Sequence, residues 1–231
     1  GEDPVASDSG LLTTVAWQLA GKKYYALEGA SFIAGAAVQF LRDNFKMIES
    51  AEVTQSLAEG VSAAPDVYFV PAFAGLGAPW WQPQCRGALL GLSRDTTKAQ
   101  IIRATLEGIA FQVFDLMQAM ANDSGKDLTS LKVDGGACQN DLLMAIQAQF
   151  ADVIVERPHN LETTAFGAGI FAALGRGCFS SLFDLSAAKA IERSFTPDVS
   201  EEKRKKRKDQ LLGWKKAVEA VQTFANNSRF H

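Results

Sequence analysis

Cysteine and histidine are scarce in this sequence. Its 231 residues contain three cysteines, without C-x-x-C spacing, and two histidines. An odd number of cysteines without paired spacing is typical of reduced thiols in a cytosolic protein and argues against a disulfide framework. Neither His159 nor His231 has a cysteine nearby, so the sequence gives almost no support for a zinc site, and we assign no metal ligand.

Long apolar runs and a large excess of one charge are also absent. No run of about eighteen apolar residues occurs, so no membrane-spanning helix is predicted, and residues 1–10 lack the apolar core of a signal peptide. The formal net charge of −3 gives no general electrostatic reason to expect nucleic acid or a membrane surface as a partner. Residues 1–10 contain no methionine, which leads us to expect that the chain begins inside a longer protein.

Two common catalytic motifs are missing as well. The sequence contains neither the G-x-x-x-x-G-K-[ST] phosphate loop nor the G-x-S-x-G turn of a nucleophilic serine. A nucleophilic triad would have to use His159, for which the sequence offers no geometric case, and no carboxylate stands out as a general base. We therefore assign no catalytic residue to this chain.

Hydrophobic periodicity predicts strands that alternate with helices, which indicates an α/β domain. Strand-like runs lie at 11–19, 24–27, 67–73, 87–93, 128–133 and 153–155, and the first two form a hairpin. Helical spacing predicts helices from residue 31, within 49–65, over 97–122, up to about 151, over 163–175 and from about 200. We expect one domain at 11–195, with 1–10 disordered or a linker and 196–231 as a C-terminal helix and tail packed on that domain.

The last predicted helix opens on six consecutive basic residues, 203–208. Runs of this kind occur in nuclear-localisation and polyanion-binding segments. Here Leu211, Trp214, Val218 and Val221 continue an apolar stripe at helical spacing behind the run. The solvated beginning of a surface helix is therefore the better interpretation.

The chain is organised around the sequence Val-Asp-Gly-Gly-Ala at residues 133–137. Gly135 and Gly136 let the backbone approach a ligand closely, and the N–H groups at the start of the following helix favour an anion such as phosphate. On these residues alone, a tight turn between a strand and a helix is the favoured interpretation. The small residues 34–37 in an earlier helix allow either a ligand or another backbone to lie close, and Gly35 and Gln39 fall on one face of that helix.

Longer runs resemble a known family. YALEGASFIAGAAVQFLRD at 25–43, PAFAGLGAPWW at 71–81 and IIRATLE at 101–107 are similar to the corresponding runs of glycerol kinases. GALLGL at 87–92, continued through 100–107, resembles the second signature of the FGGY carbohydrate kinases, and VDGGA resembles the adenosine motif of the actin-like ATPase fold. The resemblance covers about residues 10–195 with the motifs in the right order, which a chance match does not explain.

The resemblance implies an α/β domain of the actin-like ATPase (ribonuclease H-like) fold, the C-terminal lobe of a two-lobed sugar kinase. It implies ATP-dependent phosphorylation of glycerol to glycerol 3-phosphate, with Mg²⁺ bridging the phosphates. By motif position, Gly35 and Gln39 would contact the nucleotide from one helix, Gly136 would approach the phosphates, and Asn140 would lie beside the nucleotide one helical turn later. We also expect a cytoplasmic protein that forms homo-oligomers.

The resemblance also implies that parts of the kinase are not in this sequence. In glycerol kinases the glycerol-binding Arg-Glu pair, both phosphate loops and the catalytic aspartate lie upstream of the matched region. We therefore expect ATP or ADP to bind this chain, glycerol to bind the upstream lobe, Mg²⁺ to be held together with that lobe, and the fragment alone to be inactive.

Two other functions stay open at this point. One is a pentulose kinase of the same family, against which the loop at residues 75–79 (GLGAP) argues because it resembles that of glycerol kinases. The other is an ATP-binding or oligomer-forming module of actin-like fold without catalysis. The FGGY signature argues against this second alternative, because a generic actin-like protein has no reason to match it.

Overall fold

The computed structural model describes residues 1–61, 66–179, 181 and 190–227, and all structural statements here concern these residues. Strands and helices alternate along them, as the sequence predicted. The strands are β1 (Leu12–Leu19), β2 (Lys22–Glu28), β3 (Tyr68–Val70), β4 (Ala88–Leu90), β5 (Ser130–Lys132), β6 (Ile154–Pro158) and β7 (Ile191–Phe195). The helices are α1 (Gly35–Asp43), α2 (Val53–Glu59), α3 (Lys98–Ser124), α4 (Asp141–Ala151), α5 (Thr163–Gly175) and α6 (Glu201–Asn227), and a 3-10 helix spans Gly136–Gln139.

The strands form three small sheets. β1 and β2 make the predicted antiparallel hairpin, and β3 pairs with β4, also antiparallel. In the third sheet β6 lies between β5, to which it is parallel, and β7, to which it is antiparallel. Because β5 and β6 are parallel, the segments that follow them leave the sheet at the same edge. That edge carries the candidate site.

Helix α3 is the central element of the core. Its start is fixed by a capping box, in which the Thr97 hydroxyl accepts from the backbone N–H of Gln100 and the Gln100 side chain accepts from the backbone N–H of Thr97 at 2.8 Å. Gly125, with a φ of 63°, ends it. Ile102 and Leu106, both fully buried, belong to the predicted apolar stripe, against which α1, α2, α4 and β3 pack.

Helix α6 packs on the same core. Trp214 is buried, and its ring stacks on that of Phe111 with 5.1 Å between the centroids. Its indole N–H donates to the carboxylate of Asp115 on α3 at 2.8 Å. The basic residues 203–208 are exposed apart from the half-buried Arg207. The solvated helix beginning expected from the sequence is therefore confirmed.

Residues 1–10 have no regular secondary structure but contact the end of α3. The Ser7 hydroxyl and the backbone N–H groups of Asp8 and Ser9 donate to the carboxylate of Asp123. These hydrogen bonds attach the segment to the body of the chain. The domain boundaries at residues 10 and 195 stay predictions.

The start of α1 differs from the sequence prediction, because the helix begins at Gly35 and not at Ser31. Residues before Gly35 are engaged by tertiary contacts that a helix would break. The Ser31 hydroxyl donates to the side chain of Gln112 at 2.9 Å, and Gln112 donates to the carbonyl of Ile33 at 3.2 Å. The carbonyl of Ala30 accepts from the N–H of Ala78 at 3.0 Å. Tertiary structure has overridden the local helical periodicity here.

Helix α5 has its predicted bounds but lacks the close helix contact that its small residues allow. None of its residues is buried, and a β-carbon at Gly167 or Gly169 would have no neighbour within 4 Å among the described residues. Phe166 and Phe171 are 37% and 42% exposed. In the described part of the chain, α5 is thus an apolar helix whose most covered face is only half-buried.

Candidate nucleotide-binding site

Two parallel strands end beside residues 134–140, which we call the glycine turn. The N–H of Val133 donates to the carbonyl of Glu156 at 3.0 Å, and the N–H of Gly135 donates to the carbonyl of Leu161 at 3.0 Å. These bonds hold the glycine turn against β6 and the segment that follows it. In α/β proteins, ligands commonly bind at the carboxyl ends of parallel strands. The motif that the sequence singled out therefore lies where a ligand is expected.

The glycine turn has open space beside Gly136. Gly135 has a φ of 76°, in the left-handed region that favours glycine. A β-carbon at Gly136 would have no neighbour within 4 Å among the described residues. The first N–H groups of a helical turn have no acceptor within the turn, and they carry the positive end of its dipole. This arrangement suits an anionic group such as a phosphate.

The sequence predicted a helix directly after the glycines, and the structure corrects this. The 3-10 helix Gly136–Gln139 comes first, and Asn140 is the N-cap of α4. The Asn140 side-chain oxygen accepts from the N–H of Leu143 at 2.9 Å, and its amide nitrogen donates to the hydroxyl of Thr54 at 2.9 Å. An amide offers two N–H bonds and two lone pairs, so one of each remains for a ligand.

The first turn of α1 lies next to the glycine turn. A β-carbon at Gly35 would stand 3.9 Å from the β-carbon of Ala137. Gln39 follows one helical turn later, on the face that Gly35 shares, and is exposed. The fold therefore brings Gly35 to the same region as Gly136 and Asn140, although about a hundred residues separate them in sequence. The ligand contacts of these four residues stay predictions.

A cavity of about 350 Å³ lies at the same edge of the sheet, where the segments after β5 and β6 meet the start of α5. Its lining mixes charged, polar and apolar groups, among them Lys132, Asp134, His159, Thr163 and Phe166. The Thr163 hydroxyl donates to the carboxylate of Asp134. A larger cavity of about 550 Å³ lies between β3, β4 and α6, and no residue of the glycine turn lines it. The smaller cavity is lined by Val133 and Asp134 of the motif, but Gly35, Gln39, Gly136 and Asn140 are not among its lining residues.

Three residues that sequence reasoning missed hold the glycine turn and the start of α4. Besides Thr54, which binds Asn140, the side-chain oxygen of Gln55 accepts from the N–H of Asp141 at 3.0 Å. Arg157 donates to the carbonyl of Cys138 at 2.7 Å. Thr54 and Gln55 each lie 86 residues from their partners, and Arg157 lies 19 residues from Cys138. No local spacing signals contacts of this kind.

Cys138 lies inside the turn and its chemistry there is structural. It is buried, and its thiol donates to the carbonyl of Gly135 at 2.9 Å. Burial raises the pKa of the Cys138 thiol, so the side chain stays neutral at physiological pH. Neutral buried thiols are poor nucleophiles, and Cys138 serves to brace the backbone.

The described residues contain neither a cluster of metal ligands nor a helix that could span a membrane. No group of three or more His, Cys, Asp or Glu side chains stands close enough together to hold a metal ion. None of the helices described is long and apolar enough to cross a membrane.

The fold is that of the C-terminal half of two-lobed sugar kinases. A crystal structure of Plasmodium falciparum glycerol kinase with ADP superposes with a TM-score of 0.86 at 33% identity, over 96% of this chain and 44% of that one. A ligand-bound xylulose kinase from Lactobacillus acidophilus gives a TM-score of 0.79 at 19% identity, over 98% of this chain and 44% of that one, and shows the fold alone. The fold class predicted from the sequence is confirmed.

The chain belongs to the FGGY family of carbohydrate kinases, whose C-terminal domain model matches residues 1–175. It is 50% identical over 228 residues to a glycerol kinase of Natranaerobius thermophilus, covering 99% of this chain and 45% of that protein. It is 49% identical over 224 residues to a glycerol kinase of Staphylococcus haemolyticus, covering 97% of this chain and 44% of that protein. The chain thus spans less than half the length of these relatives.

Proposed function

We propose that the protein of which this chain is a part transfers the terminal phosphoryl group of ATP to glycerol, giving glycerol 3-phosphate. The observation that carries this proposal is the identity of 49–50% to glycerol kinases over nearly the whole chain. In this proposal the chain is the nucleotide-binding half of the enzyme. Glycerol and the catalytic base belong to an upstream lobe, and the chain alone is inactive.

The glycine turn is the part of this chain that would hold the nucleotide. Phosphoryl transfer needs mainly positioning and charge stabilisation, which backbone donors supply without side-chain chemistry. Gly136 leaves room for the phosphates, and a phosphate there would accept from the first N–H groups of the 3-10 helix. Gly35 and Gln39 would contact the nucleotide from α1, and Asn140 would use its remaining N–H and lone pair.

Mg²⁺ is the second cofactor that we propose. When bound, it would supply positive charge that offsets the negative charge developing on the phosphates during transfer. The described residues contain no group of three or more His, Cys, Asp or Glu side chains that could hold it. We assign its protein ligands to the upstream lobe.

We further propose a cytoplasmic enzyme that assembles as a homo-oligomer. No cysteine of the described chain pairs in a disulfide, since Cys85, Cys138 and Cys178 are all free. Free thiols are the usual state of cysteines in a reducing compartment. Size-exclusion chromatography with light scattering on the complete protein measures its oligomeric state, and a monomer at micromolar concentration would contradict that part of the proposal.

A pentulose kinase is the second candidate, favoured by the likeness of fold to xylulose kinases. The identities to those structures, 19% and 20%, are far below those to glycerol kinases. Sugar specificity in this family depends on contacts outside this chain, so an activity measurement has to decide between the two. A non-catalytic nucleotide-binding module is tested by the same measurement.

The experiment is a kinase assay on the protein made from its complete coding sequence, with ATP, Mg²⁺ and either glycerol or xylulose. We expect phosphorylation of glycerol with kcat/KM at least a hundredfold above that for xylulose. Gly136→Val is the matched variant, because its branched side chain occupies the space beside the turn. We expect it to raise the KM for ATP at least tenfold. Preferential phosphorylation of xylulose would contradict the substrate, and no turnover with either would contradict the enzyme.

A further inference from the structure

Arg157 is a buried cation in the middle strand of the third sheet. Its side chain is 7% exposed, although it lies one residue from the end of β6. A buried guanidinium is costly unless every direction of its hydrogen-bonding fork has a partner. Partners are present on several sides, and they come from three elements: the 3-10 helix Gly136–Gln139, α4 and β7. The identity of these partners indicates the role of Arg157.

One side of the fork contacts the segment that carries the candidate site. Arg157 Nη1 donates to the carbonyl oxygen of Cys138 at 2.7 Å and to the carboxylate of Asp141 at 2.8 Å. Cys138 lies within the 3-10 helix that begins at Gly136, and Asp141 is the first residue of α4. A single nitrogen atom therefore ties the 3-10 helix to the helix that follows it.

The other side of the fork fixes the guanidinium itself. Nε donates to Glu192 on β7 at 2.7 Å, and the guanidinium carbon lies 5.5 Å from the centroid of the Phe195 ring. Arg193, also on β7, pairs with the second oxygen of Asp141. The planar fork of arginine reaches these partners together, which the single ammonium of lysine cannot do. The orientation of Arg157 is thus determined independently of the glycine turn.

Helix α2 also holds this segment, because Thr54 accepts from the Asn140 side chain and Gln55 accepts from the N–H of Asp141. Arg157 and α2 therefore give the stretch from Cys138 to Asp141 two separate sets of fixed neighbours. A β-carbon at Gly136 would have no neighbour within 4 Å among the described residues. The turn thus combines held backbone with open space beside Gly136, as expected of a preorganised site.

We propose that Arg157 is a positioning residue for the nucleotide, acting through the carbonyl of Cys138 and the carboxylate of Asp141 to hold the glycine turn in its binding geometry. This inference rests on the proposed function, since it assigns the glycine turn to the nucleotide. Arg157 does not touch the ligand. Its loss displaces backbone donors that do, so nucleotide binding weakens while glycerol binding does not.

The chain offers a matched control at the other end of α4. Arg207 pairs with Asp152, which ends α4, at 2.9 Å. The eleven residues of α4 separate this pair from Asp141 by roughly 16 Å. Both pairs join an arginine to a terminus of the same helix, but only Arg157 also contacts the 3-10 helix. A general loosening of α4 would appear in both variants, and a loss of positioning only in the first.

The test compares Arg157→Lys and Arg207→Lys in the complete protein, below the melting temperature of each variant. We expect Arg157→Lys to raise the KM for ATP and the Kd for ADP at least tenfold, with the KM for glycerol changed less than twofold. Arg207→Lys should leave all three within twofold. If Arg157→Lys lowers only the melting temperature and keeps the KM for ATP within twofold, the residue is purely structural and the proposal is wrong.

A second variant covers the case in which Arg157→Lys does not fold. Asp141→Asn keeps a polar first residue of α4 and removes the charge that Arg157 meets beside the turn. We expect a rise in the KM for ATP of at least threefold, and an unchanged KM for ATP would overturn the proposal. The wild-type protein separates a failure of the proposed function from a failure of the proposed role of Arg157. If the wild-type protein neither binds ADP nor consumes ATP, the proposed function is wrong, and so is the role of Arg157 that depends on it.

Discussion

Asp115 on α3 is a mostly buried carboxylate far from the glycine turn in sequence. Burial raises its pKa to about 6, although the hydrogen bonds from the indole groups of Trp214 and Trp80 act in the opposite direction. In the unfolded chain the same group has a pKa near 3.8. Folding therefore favours the protonated acid, and ionised Asp115 opposes folding.

The raised pKa of Asp115 predicts how the stability of the protein depends on pH. Because the pKa is higher in the folded than in the unfolded chain, protonation of Asp115 stabilises the folded state, and this contribution is present in full below about pH 4. It is lost as the pH rises through about 6, and amounts to roughly 3 kcal/mol. Asp115→Asn removes the charge and keeps an oxygen that accepts from Trp214. We expect the variant to gain stability over wild type between pH 4 and pH 7, measured by urea unfolding across that range.

The comparison across pH is itself the control, because other groups titrate equally in both proteins. Near pH 4 the two proteins should differ least, and the difference should level off only above about pH 7, one unit beyond the folded pKa. A stability difference that does not change between pH 4 and pH 7 would show that Asp115 has an ordinary pKa in the folded protein.

At the residue scale, residues that belong to a recognisable motif could be predicted from the sequence, whereas the residues that hold the motif in place could not. Gly135 and Gly136 stand out because two adjacent glycines after a predicted strand indicate a tight turn or a close approach of the backbone to a ligand. Thr54 and Arg157 carry no such mark, since a buried threonine and an arginine in a strand are both common. Their role depends on which distant groups they contact, the Asn140 side chain for Thr54 and the Cys138 carbonyl for Arg157, and only the completed fold determines that.

At the scale of elements, one glycine fixes how the β3–β4 pair closes. Gly91 directly follows β4 with a φ of 79°, and a β-carbon there would collide with the carbonyl of Asp66, ahead of β3. Gly21 in the turn of the first hairpin has a φ of 81° but no neighbour within 4 Å of a β-carbon. An alanine would be in the left-handed region at either position, but only at position 91 would its β-carbon also collide with another part of the chain.

Gly21 and Gly91 together give a prediction in which Gly21→Ala is the control for Gly91→Ala. Gly21→Ala should lose about 1–2 kcal/mol of stability from placing alanine in the left-handed region. Gly91→Ala should lose about 1–3 kcal/mol more, because two packed segments have to separate. The free energy of unfolding in urea measures both. Equal losses would mean that the chain near Asp66 yields to the added methyl group at no cost.

Long periodic elements were predictable from sequence, and short ones were less so. The apolar stripe and caps of α3 depend on neighbouring residues, so its bounds follow from local chemistry. The strands β3, β4 and β5 have only three residues each, less than their predicted lengths, because pairing partners decide where a ladder ends. Residues 62–65, at the end of the predicted segment 49–65, lie outside the described residues.

At the scale of the whole molecule, apolar side chains are exposed at two places in the described chain. Helix α5 has no buried residue, and on β1 the side chains of Leu12 and Val15 are 51% and 54% exposed. Clustered apolar side chains at a surface, as on α5, commonly mark a contact with another domain or chain. This fits the proposal that the chain is one lobe of a larger enzyme, whose nucleotide is gripped from two sides.

The two-lobe proposal predicts how ADP binding divides between this chain and the complete protein. Contacts of the phosphates with the upstream lobe are lost in the 231-residue chain, while those of the glycine turn remain. We therefore expect the chain to bind ADP at least tenfold more weakly than the complete protein, which is at least about 1.4 kcal/mol. Calorimetry with Mg²⁺ measures both affinities, and a cooperative thermal transition shows that the chain is folded. Gly136→Val should abolish the remaining binding to the chain. If the chain and the complete protein bind ADP equally well, the whole nucleotide site lies in these residues and the upstream lobe contributes only substrate and catalytic groups.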